Sequence, residues 1–131
     1  MKAIIKYYWP AILWALFVFI MCSVKLGEVS DSPLFFPGFD KLVHCGFFFV
    51  IIVFISAGYI RQQSLRSLSY KVLALITVLA IAYGGIIELL QLYIFTWRSG
   101  EWNDLFADTI GALMAAFSIF ITVKALNHDK E

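Results

Sequence analysis

From Val72 to Phe95 the chain is almost wholly apolar, interrupted by a carboxylate at Glu88 and an amide at Gln91. A helix needs about 20 residues to cross a bilayer core of about 30 Å, and this run is long enough. In lipid such a run must be helical, because each backbone N–H and C=O has to find its partner within the segment. On a helix, Glu88 and Gln91 share one face. Gly84 and Gly85 fall four and three residues before Glu88 on the same stripe, where they leave room for a neighbouring helix. An ionisable side chain is costly to bury in a span without a partner, so Glu88 is a functional candidate.

Three further apolar runs accompany this one, giving predicted spans at about 7–24, 40–60, 72–95 and 104–123. Only 15% of the residues are charged and 62% are hydrophobic, whereas a soluble domain is about a quarter charged. The fold class is therefore all-α: a single domain over 1–131, an integral membrane bundle of four transmembrane helices. Tyr7, Tyr8 and Trp9 suit the membrane interface at the start of the first span. That span lacks an Ala-x-Ala site and exceeds the apolar core of a signal peptide, about 7–15 residues, so it is expected to stay uncleaved. Asp40, following Pro37-Gly38-Phe39, is placed as the N-cap of the second span. No basic tract suggests nucleic acid.

Basic residues are unevenly shared between the two sides. Lys2, Lys6, Arg61, Arg66, Lys71, Lys124 and Lys130 fall on the side of the termini, against Lys25, Lys41 and Arg98 on the other. The positive-inside bias predicts that both termini are cytoplasmic. Most acids, among them Asp40, Glu88, Glu101, Asp104 and Asp108, then lie on or toward the outer side.

Polar residues collect at the outer ends of three spans. The second opens with Asp40-Lys41-Leu42-Val43-His44, the third ends around Glu88 and Gln91, and the fourth opens with Asp104-Leu105-Phe106-Ala107-Asp108. Gly111, Ala112 and Ala115 continue the Asp104–Asp108 stripe as a small-residue face suited to close helix packing. At about 1.5 Å rise per residue, His44, Glu88 and Asp108 reach a similar depth. A pocket so built could carry out acid–base chemistry, hold a divalent cation through His44, Glu88, Asp104 and Asp108, or act as a structural polar knot. Linear spacing matches no metal motif such as His-Glu-x-x-His, so neither a metal nor a cofactor is expected. Cys22 and Cys45 are expected to remain unbridged thiols.

Asp40-Lys41-Leu42-Val43-His44, Glu88-Leu89-Leu90-Gln91, Arg98 and Asp104-Leu105-Phe106-Ala107-Asp108-Thr109-Ile110-Gly111-Ala112, in this order and spacing, resemble the VanZ-like family of small membrane proteins. The resemblance covers about residues 37 to 123. It departs from the family pattern at Asp108, where Asn is usual. It also lacks the Pro often found before Arg98, and has Ala115 where Gly is expected. The family's founding member is associated with resistance to the glycopeptide antibiotic teicoplanin.

The resemblance implies a bacterial cytoplasmic-membrane protein acting at the cell envelope. The motif carries over to Asp40, Lys41, His44, Glu88, Gln91, Arg98, Asp104 and Gly111. With Asp108 added from the polar clusters, the candidate pocket residues are Asp40, Lys41, His44, Glu88, Gln91, Arg98, Asp104 and Asp108. The implied ligand is an amphiphile, such as a lipid-linked envelope precursor or a lipoglycopeptide, that is bound or modified. Two other readings stay open at this point. One is a small proton- or ion-coupled transporter, against which the inner halves of the spans offer no acidic or basic relay. The other is a structural or assembly subunit.

Overall fold

The computed structural model describes residues 2–24, 36–64, 68–95, 97 and 100–128. Four helices account for nearly all of them: α1 (Lys2–Ser23), α2 (Phe39–Gln62), α3 (Tyr70–Tyr93) and α4 (Trp102–His128). All four are long and apolar enough to cross a membrane, as expected of a multi-pass membrane protein. Their ends differ from the expected spans for local reasons. The helix α2 starts one residue earlier because Gly38, not Asp40, is its cap. Gly38 adopts φ 88, a left-handed conformation that glycine takes at little cost. Asp40 instead sits in the first turn, where a carboxylate is favoured by the helix dipole. Ser69 caps α3 through its side chain, which accepts from Val72 N–H at 3.4 Å. The helix α4 continues past Val123 through Lys124, Ala125 and Leu126, good helix formers that need no lipid around them.

Each core-facing stripe has helical spacing. On α3 it comprises Leu73, Ile76, Thr77, Ala80, Gly84, Ile87, Glu88 and Gln91. On α4 it runs Asp104, Ala107, Asp108, Gly111, Ala112 and Ala115. Phe48 and Ile52 of α2 and Val18 of α1 are fully enclosed between the helices. The outward faces, including Leu75, Val78, Leu79, Leu113 and Phe117, are exposed and apolar, the arrangement of a bundle whose solvent is lipid.

The most extensive contact is between α2 and α4. It is close because Gly111 lies directly on the Cys45 backbone, where a Cβ would overlap the carbonyl. Gly84 plays a similar part on α3: a Cβ there would come within 2.8 Å of Asp108 Oδ2 and 3.0 Å of the Phe48 ring. Gly85 does not, since no atom of the described residues lies within 4 Å of where its Cβ would be. The expectation that both glycines form the packing face is corrected to Gly84 alone. Gly85 is one residue on, about 100° around the helix, and misses the contact. Cys22 and Cys45 are not joined by a disulfide.

Candidate functional site

One end of the bundle gathers the start of α2, the end of α3 and the start of α4. There Lys41 Nζ donates to three carboxylates at once: Asp40 Oδ2 at 2.7 Å, Glu101 Oε2 at 2.7 Å and Asp104 Oδ1 at 2.6 Å. The contacts with Glu101 and Asp104 tie α2 to the beginning of α4. Asp40 is the outermost of the three, with its side chain 59% exposed, whereas that of Asp104 is only 7% exposed.

A turn deeper lies His44. Its Nδ1 is 2.9 Å from Asp108 Oδ1, and its Nε2 is 3.7 Å from Asp104 Oδ2. The imidazole thus stands between the two aspartates of α4, both on the stripe that faces α2. The Glu88 carboxylate arrives from α3. Its Oε2 accepts the backbone N–H of Glu101 at 2.8 Å, while Oε1 has no hydrogen-bond partner among the described residues. Glu88 is 1% exposed. Donor atoms of His44, Glu88 and Asp108 all fall within 4.8 Å of one another, a grouping able to hold a metal ion. Asp40, Glu101 and Asp104 form a second such group, centred on the Lys41 ammonium.

Of the residues singled out from sequence, Asp40, Lys41, His44, Glu88, Asp104 and Asp108 are brought to this one end. Gln91 shares their depth, yet its amide turns to α1: Nε2 donates to the Cys22 carbonyl at 2.8 Å. Its measurable part is a tether between α3 and α1. Ala112 and Ala115 are fully buried beside Gly111. Arg98 lies outside the described residues, as do Lys25 and Arg66.

Two contributors escaped the sequence reading. Glu101 supplies a carboxylate to Lys41 and a backbone N–H to Glu88. It stands three residues before Asp104, a spacing that puts both on one side as α4 begins. Phe48, one turn after His44, walls the cluster from below and packs near Tyr83, with ring centroids 6.2 Å apart.

A groove of about 500 Å³ runs down from this end between α2 and α4. It is lined by Lys41 and Asn103 at the polar rim and by Leu42, Cys45, Phe106, Ala107 and Ile110. Leu42 and Phe106 are exposed on its flanks, so the groove opens sideways toward lipid.

No protein-family model, curated protein or solved structure matches the chain.

Proposed function

We propose that this chain is a VanZ-like protein of the bacterial cytoplasmic membrane that binds or modifies an amphiphile on the outer side of that membrane. The observation that carries the reading is the continuity between the Lys41 rim and the apolar groove below it. A molecule with a polar head and an acyl tail has the same division. Its head would lie against Lys41, Asn103 and the carboxylates, and its tail along Leu42, Phe106 and Ile110. The rim holds three carboxylates to one ammonium, which favours a head rich in amine or hydroxyl groups over a bare phosphate. The order of motifs shared with the VanZ-like family supports an envelope precursor or a lipoglycopeptide as that amphiphile. The excess of basic residues on the side of the termini supports cytoplasmic termini and an outward-facing groove.

The test is protection of a susceptible bacterium expressing the chain. Growth is compared in teicoplanin and in a glycopeptide without an acyl chain. Protection selective for the acylated compound, and lost in the groove-filling variant Ala107→Trp that still inserts, is the expected result. Equal sensitivity of cells with and without the inserted protein would remove the reading. Cysteine labelling at the termini checks the orientation separately.

A further inference from the structure

We propose that His44, Glu88 and Asp108 form a site for one divalent transition-metal ion of the Zn2+ or Mn2+ class. The three residues come from three helices, all are buried, and their donor atoms lie within 4.8 Å of one another. His44 Nδ1 and Asp108 Oδ1 are 2.9 Å apart. Two donors bound to one ion at about 2.0–2.1 Å stand roughly 3 Å from each other, so this pair is spaced as an edge of a coordination shell.

A second observation is independent of that grouping. Among the described residues, no hydrogen-bond donor reaches the buried Glu88 Oε1. A buried carboxylate oxygen left in this way is costly, and a cation beside His44 and Asp108 would satisfy it.

Charge leads to the same place. Glu88, Asp104 and Asp108 are three buried carboxylates. Among the described residues, the ammonium in contact with any of them is that of Lys41, which is shared among Asp40, Glu101 and Asp104. Among the described residues, Glu88 and Asp108 thus share one group with the His44 imidazole and have no ammonium in contact, and a doubly charged ion offsets both. The outer acidic group differs, because the Lys41 ammonium already fills it.

The surroundings fit a metal ligand. With Nδ1 directed to the ion, the ring proton sits on Nε2, which faces Asp104 Oδ2 at 3.7 Å. That distance is beyond a direct hydrogen bond, so the Asp104 carboxylate, held in place by Lys41, acts on the imidazole by its charge. Gly84 leaves space where a Cβ would press on Asp108 Oδ2. One imidazole with two carboxylates favours a first-row ion over Mg2+ or Ca2+, which prefer all-oxygen shells. The inference stands apart from the amphiphile reading, since binding of the ion needs no occupant in the groove.

The experiment uses the full chain purified in detergent, stripped with a chelator, titrated with Zn2+ or Mn2+ and desalted before its metal is counted. The expected result is one equivalent per chain. Glu88→Gln and Asp108→Asn should each weaken binding by about tenfold or more, and Asp104→Asn by less, through the charge lost beside the imidazole. Leu113→Ala, on the exposed apolar face of α4, should leave it unchanged. Unfolding temperatures of the stripped variants establish that each is folded. Should a carboxamide variant fail to fold, the visible spectrum of wild-type protein loaded with Co2+ carries the test, with a new d–d band expected. Absence of stoichiometric metal in the wild type, binding unchanged in both Glu88→Gln and Asp108→Asn, or no Co2+ band, would overturn the proposal.

Discussion

The seam between α2 and α4 and the seam that joins α1 to the bundle each contain a glycine at a close approach, Gly111 on the Cys45 backbone and Gly58 on the Tyr7 carbonyl. They differ in the polar contacts that hold them. Between α2 and α4 the backbones approach closely over Gly111, and the interface ends in the Lys41–Asp104 ion pair and the contact of the His44 imidazole with Asp108. By contrast, α1 is tied on by single side-chain donors reaching backbone carbonyls. Trp14 Nε1 donates to Phe47 O at 3.0 Å, Tyr83 OH to Ala15 O at 2.7 Å, Gln91 Nε2 to Cys22 O at 2.8 Å and Trp97 Nε1 to Ser23 O at 2.9 Å. The first plan depends on the absence of side-chain volume at one point and tolerates no addition. The second adds to its close approach at Gly58 several side-chain hydrogen bonds spread along α1. In lipid there is little hydrophobic drive between helices, so close packing and polar contacts decide association. The candidate site lies on the rigid seam, and α1 covers the flank.

The comparison breaks first at Gly111. Gly111→Leu places a branched side chain against the Cys45 backbone, beyond the about 1–3 kcal/mol of ordinary overpacking. Loss of the cooperative unfolding transition in detergent is the expected outcome, and a normal transition would show that the seam can open.

Next comes Lys41→Met, which leaves three carboxylates facing one another. Removing one partner of a buried ion pair costs about 3–5 kcal/mol. Lys41 keeps 30% exposure, so about 2 kcal/mol is expected, read as a lowered unfolding temperature that rises again with added salt.

A finer test pairs Gly84→Ala with Gly85→Ala. The first crowds Asp108 and Phe48 and should destabilise by about 1–2 kcal/mol. The second meets open space and gains up to about 1 kcal/mol of helix propensity. Equal shifts in unfolding temperature would mean that the two residues share a face after all.

On the α1 seam, Trp14→Phe keeps the ring packing but removes one hydrogen bond. A loss of about 1 kcal/mol is expected, visible as faster proteolysis of α1 with the α2–α4 pair unaffected. Smallest of all is Leu113→Ala. Leu113 is 54% exposed toward lipid, and its truncation should change stability by less than about 0.5 kcal/mol.

Sequence alone determined the helical class, the four spans and the common depth of His44, Glu88 and Asp108. Length and apolarity leave a chain in lipid one regular way to satisfy its backbone, and a fixed rise per residue converts position into depth. Depth does not say which neighbour a side chain meets, because rotation about each helix axis is set by packing. Only the tertiary structure turned Gln91 to the Cys22 carbonyl while Glu88 reached the Glu101 N–H, three residues apart on one stripe. Only it separated Gly84 from Gly85, left Asp40 at the rim, and recruited Glu101 to Lys41. His44, Glu88 and Asp108 match no linear metal motif, because their spacing is between helices. What brings them within 4.8 Å is the contact of α4 with α2 at Gly111 and with α3 at Gly84, and that contact exists only once the helices have packed.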